Sequence, residues 1–333
     1  KKKVSKKISL PLNGNKLISF DTIEIISRQK KQLIKIKNIK KLPSQLRKQI
    51  KKDLKKITKT KSIKNIKFKN LLLMGILNVT PDSFSDGGKY LKSNLAYKQI
   101  KKLKQDGADI IDIGGESTRP GAEKVSSEEE IRRISPLVKE LSKNCDCAIS
   151  VDTYKSSTAK FALENGVSII NDISGLTFDP SVASTVSDHN AALVLMHIKG
   201  DPKTMQDNTK YNNLIDEISS FLHGQIEFAI QKGVKREKII VDPGIGFGKA
   251  LDDNFEIIGK LRKICKLGYP VLVGPSRKSF IGSVLNANVS DRIEGSLAAA
   301  CASYINGAKI VRVHDVFQTK KCLQIIEKII ERS

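Results

Sequence analysis

The run Leu71-Leu-Leu-Met-Gly-Ile-Leu77 stops at Asn78, and Thr80, Pro81, Asp82 and Ser85 follow at once. A continuous apolar run bounded by turn formers reads as a strand buried on both faces. Seven later runs end in the same way. Their polar followers are Gly114-Gly-Glu-Ser-Thr-Arg119, Asp152, Asn171-Asp172, His197, Asp242, Ser276-Arg-Lys278 and Arg312-Val-His314-Asp315. Helix capping or turn formation explains any one Asp or Asn in such a place. It does not explain eight polar ends in series. The residue types sort into two chemistries. Asp152, Asn171 and Asp242 offer carboxylates and an amide, which suit a flat heterocycle bearing N–H donors and a carbonyl, with Met196 and Phe247 to pack on its faces. Asn78, Ser117, Thr118, Arg119, Arg312 and His314 offer hydroxyls and cations, which suit a phosphate. No nucleophile elbow, no cysteine–histidine pair and no clustered zinc set is visible. A hydrated Mg²⁺ bound to phosphate and one protein oxygen needs little sequence signature.

These residues need a frame that brings strand ends together. The apolar runs fall at 71–77, 109–114, 147–151, 167–170, 191–196, 238–241, 270–274 and 309–313. Helical stretches lie between and after them, near 93–106, 127–143, 155–165, 179–188, 212–232, 253–266, 290–306 and 316–331. Ser126 and Thr153 stand at helix starts, and Gly107, Gly166, Gly233, Gly268 and Gly307 follow helix ends. Eight strands alternating with eight helices predict an α/β fold, a (β/α)₈ TIM barrel whose site lies at the C-terminal strand ends. A doubly wound open sheet is the alternative, but it calls for a Gly-rich dinucleotide turn after the first strand, and none is present.

The charge is unevenly spread. The chain has 333 residues and a net charge of +24. Residues 1–70 hold 24 Lys+Arg against 3 Asp+Glu, and residues 71–333 are nearly balanced. The expected organisation is therefore a small basic N-terminal extension, 1–70, of unassigned role, and a barrel over 71–333. In the extension, residues 32–39 read as an exposed strand. Pro43 opens a helix carrying Leu46, Ile50, Leu54 and Ile57 on one stripe, expected to pack on the main body. Contact of residues 1–70 with nucleic acid or an anionic membrane is weighed against a Lys-rich solvated face, and the solvated face is preferred, because aromatic interleaving and RNA motifs are absent. The five cysteines are scattered, and Cys145 and Cys147 are expected to be reduced. No apolar stretch is long enough to span a bilayer and no signal-peptide pattern follows the basic start, so the expected location is cytoplasmic.

Long motifs at the strand ends make the reading more specific. Gly75-Ile-Leu-Asn78-Val-Thr-Pro-Asp82-Ser-Phe84-Ser-Asp86-Gly-Gly88 and Asp112-Ile-Gly-Gly-Glu116-Ser-Thr-Arg119-Pro120-Gly121 are followed in order by Ser150-Val-Asp152-Thr153, Asn171-Asp172-Ile-Ser-Gly175, Met196-His197, Asp242-Pro-Gly-Ile-Gly-Phe247-Gly-Lys249, Ser276-Arg-Lys278-Ser279-Phe280 and Arg312-Val-His314-Asp315. Over about 71–333 this set resembles the dihydropteroate synthase family, the sulfonamide targets of folate biosynthesis. The resemblance implies a transferase that joins 6-hydroxymethyl-7,8-dihydropterin pyrophosphate to p-aminobenzoate. It implies pterin binding by Asp152, Asn171, Met196, Asp242 and Lys278, and diphosphate contacts from Asn78, Thr118, Arg119, Arg312 and His314. It also implies a p-aminobenzoate slot framed by Phe84, Pro120, Phe247 and Ser279, and Mg²⁺ held in part by Asn78. Asp152, Asp242, Lys278 and Arg119 are the expected catalytic set, and the implied partner is a second copy of the chain in a homodimer through the late helices. A pterin-dependent methyltransferase of the corrinoid type is the competing enzyme. It has no use for the segments Asn78–Asp86, Ser117–Pro120 and Arg312–His314. A barrel that binds without catalysis would not need every polar position filled.

Overall fold

The computed structural model describes residues 8–12, 15–27, 30–58, 62–63, 66–67, 71–79, 89–118 and 121–332. The chain divides into two compact units, residues 1–62 with 67–70, and residues 63–66 with 71–333. In the first, Leu10–Leu12 pairs antiparallel with Asn15–Phe20, and Thr22–Ile26 with Lys31–Lys35. The second pairing leads into a 3₁₀ turn, Ile36–Lys41, and a helix, Ser44–Thr58. The strand expected over 32–39 thus ends at Lys35. Ile36 and Ile39 lie three residues apart, the period of a 3₁₀ turn, so both reach the same small core. That core is Ile34, Ile39 and Ile50, with Leu46 and Leu54 of the helix packed against it. The helix stripe is therefore covered within its own unit, apart from Ile57, which is exposed.

The second unit is the barrel. Its strands are β1 Leu72–Asn78, β2 Ile110–Gly114, β3 Ala148–Asp152, β4 Ile169–Asp172, β5 Ala192–Met196, β6 Ile239–Asp242, β7 Leu272–Val273 and β8 Ile310–Val313. They form one sheet in the order β6-β5-β4-β3-β2-β1-β8-β7, with every pairing parallel. A parallel bridge from Val241 to Val271 joins β6 to β7 and closes the ring. The helices are α1 Lys89–Asp106, α2 Ser127–Asn144, α3 Ser156–Glu164, α4 Ser181–Asp188, α5 Leu214–Gln231, α6 Leu251–Gly259, α7 Ser279–Leu285, α8 Ile293–Ile305 and α9 Val316–Arg332. The short α7, directly after Lys278, is an addition to the eight helices expected. The stretch expected over 253–266 breaks after Gly259 and resumes over Leu261–Ile264. Ser126 caps α2 by accepting from the Glu129 N–H, and three glutamates complement the dipole of its first turn. Among the described residues no helix is long and apolar enough to cross a membrane.

Alternation along each strand decides what faces the site. Leu73, Ile111, Ile149, Ile170, Leu193, Ile239 and Val311 belong to the core between strands and helices. The intervening positions, such as Met74, Ile110, Ile169, Val194, Ile240 and Ile310, fill the barrel itself. By the same two-residue period Asn78, Asp112, Asp152, Asn171, Met196, Asp242 and Arg312 lie on inward positions, and Asp172 on an outward one.

At the opposite end of β3, Cys145 and Cys147 are joined as a disulfide, not held as the reduced thiols expected from their scatter. The turn through Asp146 brings their Cα atoms to 5.3 Å, within the range a disulfide spans.

Ile149 is fully buried in the centre of β3, facing the helices. Ile149→Ala is expected to cost about 2–5 kcal/mol of unfolding free energy, read from the denaturant midpoint of the whole chain.

Candidate active site

Because all eight strands are parallel, their C-terminal ends share one rim of the barrel. Arg312 on β8 reaches across it. Its Nε donates to Asp112 Oδ2 at 2.6 Å, and a terminal nitrogen donates to Asp152 Oδ2 at 2.8 Å. Asn171 Nδ2 donates to the same Asp112 oxygen at 3.2 Å. Four residues from β2, β3, β4 and β8 thus form one network. Burial pushes the Asp152 carboxyl up to about 7; Arg312 draws it down, while Asp112, Glu130 and Asp172 push it further up.

Asp242 ends β6, and its Oδ1 accepts from the Gly244 N–H at 2.7 Å. Burial raises its pKa, against that bond and the charges of Lys278, Lys249 and Arg312. Gly244 turns with φ +72, and a Cβ there would stand 1.9 Å from the His197 carbonyl oxygen. Only glycine fits this close passage of two strand-end loops. Lys249 is buried beneath the turn. Its Nζ meets three acceptors: His197 Nδ1 at 2.7 Å, the His197 carbonyl at 3.1 Å and the Phe247 carbonyl at 2.9 Å. Burial first, and Lys249 second, hold the His197 pKa down to about 3, so its ring is neutral and free to accept.

Lys278 enters from the loop after β7. Its ammonium donates to the Ile245 carbonyl and stands 4.3 Å from the centroid of the Phe247 ring. Burial lowers its pKa to about 7, while Asp242 and Asp152 oppose the fall. The preceding residue, Arg277, adopts φ +57, a left-handed conformation unusual for a side chain of its size. Three contacts hold it there. Its guanidinium grips Asp315 at 2.9 and 2.5 Å, its N–H donates to Ser296 Oγ, and its carbonyl accepts from Arg292. This bend sends Lys278 inward toward Asp242.

The loop after β2 is anchored by charge. Glu116 accepts from the Tyr154 hydroxyl at 2.9 Å and from Lys155. Lys155 also donates to the buried Glu130, which accepts from Thr153 and Thr158 as well. Ser117 and Thr118 follow this anchor directly.

Asp152, Asn171, Asp242 and Lys278 therefore gather as the sequence leads one to expect, and Met196 is buried beside Phe247 in a small apolar cluster. Arg312 sits among the carboxylates of the heterocycle group, although sequence reasoning grouped it with the anion binders. His314 Nδ1 lies 3.0 Å from Ser276 Oγ on the next loop. The amide oxygen of Asn78 would be 3.2 Å from a Cβ built on Gly114, and Asp152 Cβ 3.8 Å, so these three positions adjoin at the rim. Ser279 is exposed at the first turn of α7. Phe84, Arg119 and Pro120 lie outside the described residues, as do Thr80, Asp82 and Ser85.

Asp172 turns away from the barrel. It accepts from Ser174 N–H and hydroxyl and from Leu176 N–H, holding the loop after β4. Asp112, Lys249 and Arg277 were given no role by sequence reasoning. The signal for Asp112 lay in the run Ile110-Ile-Asp-Ile113, where a carboxylate interrupts a doubly buried strand and must find a partner.

A family profile described as "Pterin binding enzyme" matches residues 74–314. The Synechocystis sp. dihydropteroate synthase is 48% identical over 249 residues, covering 74% of this chain and 86% of that protein. A Xanthomonas albilineans dihydropteroate synthase solved with 4-aminobenzoic acid superposes with a TM-score of 0.77 at 37% identity, covering 81% of this chain and 98% of that one. Its complex with 7,8-dihydropteroate gives 0.72 at 35% identity, covering 79% and 95%.

Arg312 is the charge that draws the Asp152 pKa down most strongly. Arg312→Met is therefore expected to move the Asp152 titration to higher pH than about 7, followed by the carboxyl ¹³C shift in an NMR pH series. An unchanged midpoint would show that the guanidinium does not act on this carboxyl.

Proposed function

We infer the reaction of this chain from the family it belongs to, the dihydropteroate synthases: it joins 6-hydroxymethyl-7,8-dihydropterin pyrophosphate to p-aminobenzoate, giving 7,8-dihydropteroate and pyrophosphate. The observation that carries the reading is the set Asp152, Asn171, Asp242 and Lys278, drawn from four separate strand ends in a chain matched across residues 74–314. A pterin ring presents amino and ring N–H donors beside one carbonyl. Two buried carboxylates and an amide meet the donors, and an ammonium meets the carbonyl. Met196 and Phe247 supply apolar faces for the ring.

The chemistry asks for charge placed in advance. The bond from the pterin methylene carbon to the diphosphate oxygen breaks, and its electron pair leaves with the diphosphate. Asp152 and Asp242 stabilise the cation that remains. The aniline nitrogen of p-aminobenzoate closes the new C–N bond and then loses a proton. Thr118, Arg119 and His314 are assigned to the diphosphate, with Arg312 bridging it and the pterin. Phe84, Pro120, Phe247 and Ser279 are assigned to the p-aminobenzoate slot. The reaction needs water kept from the cation, which it would otherwise capture as an alcohol.

Mg²⁺ fits this site as a hydrated ion. The described residues contain no group of three or more His, Cys, Asp or Glu able to cage a metal. Asn78 brings a single amide oxygen to the rim beside Gly114 and Asp152, and a hydrated Mg²⁺ takes its other ligands from water and phosphate oxygens. Bound there, the ion would neutralise charge on the departing diphosphate.

A homodimer through the late helices is part of the same reading. Ile325 and Ile329 lie one turn apart on α9 and are 63% and 58% exposed, and Phe317 on that helix is exposed too. An apolar strip of this kind suits a second copy of the chain. Ile325→Glu is expected to halve the mass found by light scattering.

With Mg²⁺ and both substrates, the purified chain is expected to release pyrophosphate and form dihydropteroate only when p-aminobenzoate is present. Asp152→Ala and Lys278→Ala should each lower turnover by roughly 10²-fold or more while the circular dichroism spectrum is retained. Sulfonamides are expected to compete with p-aminobenzoate. Dihydropterin binding without any product would overturn the synthase reading.

A further inference from the structure

Asp112 lies on β2 one inward position below Gly114 and is fully buried. One of its oxygens, Oδ2, accepts from both Arg312 Nε at 2.6 Å and Asn171 Nδ2 at 3.2 Å. The other, Oδ1, has no hydrogen-bond partner among the described residues, and neither has Ser150 Oγ, its neighbour by strand register on β3. A buried carboxylate kept for the fold alone is normally bonded at both oxygens, because each unpaired one costs free energy. This one commits a single oxygen to two residues of the site.

We propose that Asp112 is a positioning residue of the dihydropteroate reaction: it seats the Arg312 guanidinium and the Asn171 amide on one oxygen, and so fixes their spacing to Asp152 at the pterin site. The proposal rests on the synthase reading above and assigns a role to a residue that reading leaves without one.

The geometry explains why a seat is needed. Arg312 carries a long side chain from β8 into the barrel and is held by a two-point fork, Asp112 on one side and Asp152 at 2.8 Å on the other. Without Asp112 the guanidinium keeps one charged anchor and can turn about it, and Asn171 loses its acceptor. Two pterin-site residues are then misplaced together. The groups around Asp152 also include Glu130 on α2, Asp172 on β4 and Lys278 after β7. Among these, Arg312 is the residue through which Asp112 acts on Asp152 by direct contact.

The test is a double-mutant cycle on the full chain with Asp112→Asn, Arg312→Met and both together. For Asp112→Asn we expect the KM for dihydropterin pyrophosphate to rise about tenfold or more, while the KM for p-aminobenzoate stays within about twofold. In the Arg312→Met background, the same substitution should raise the pterin KM by a clearly smaller factor, what is left being its effect through Asn171. The double variant removes both charges of the buried pair, so it also serves where Asp112→Asn alone fails to fold; Asp112→Asn is then read against Arg312→Met only. A pterin KM unchanged in Asp112→Asn overturns the proposal. So does an equal rise for both substrates, or a penalty that persists undiminished without Arg312, since either marks a role in the fold. Failure of the unaltered chain to form dihydropteroate would instead remove the reaction itself, and the proposal with it.

Discussion

A guanidinium stretched between two carboxylates inside a closed barrel is the constraint on which the site depends. Arg312 touches Asp112 and Asp152 where little water reaches. Isolated charges in such a place would be strongly disfavoured, and each would shift its pKa or leave the interior. Here three acids, Asp112, Asp152 and Asp242, lie among three bases, Arg312, Lys278 and Lys249. The set tolerates burial because each acid has a base beside it, Arg312 for Asp112 and Asp152 and Lys278 for Asp242. Burial brings Asp152 and Lys278 to about 7 from opposite directions, and the opposite charges beside them limit each shift.

The barrel makes this arrangement possible through two regularities. Parallel strands deliver their C-terminal ends to one rim, and the two-residue period sends alternate side chains inward. Asp152 and Asp242 arrive on inward positions and Asp172 on an outward one. Asn171 and Asp172 are adjacent in sequence but serve different ends. One bonds to Asp112 inside the barrel, and the other braces the loop after β4 from outside.

Buried or strained groups beside the substrate-binding residues hold them in place. Lys249 spends its three N–H donors on the His197 ring, the His197 carbonyl and the Phe247 carbonyl, tying the loops after β5 and β6 together. Arg277 keeps a left-handed backbone because Asp315, Ser296 and Arg292 all hold it, and the next residue is Lys278. Lys155 joins Glu116 to Glu130 and fixes the start of the loop that carries Ser117 and Thr118. Each of these lies beside a residue assigned to substrate. Backbone strain held beside a site by surrounding contacts is a common way of aiming a side chain.

The sequence by itself determined the barrel and most of the residues at its rim. Apolar runs of fixed period and polar residues at their ends are local signals, set by burial and backbone geometry within a few residues. That is why Asp152, Asn171 and Asp242 were legible from position alone, whereas Lys278 was placed with the pterin only by the resemblance to the dihydropteroate synthases. Tertiary structure decided which charge meets which. Arg312 looked like an anion binder beside His314, and it turned to Asp112, which is 200 residues away in the chain. Asp112 itself sat within an apolar run, where its partner could not be named because that partner lies across the ring. The pairing of Cys145 with Cys147 and the turn of Ile36–Lys41 were likewise settled by distance in space. Periodicity reports which face a residue is on; only closure of the ring brings the opposite faces within hydrogen-bonding reach.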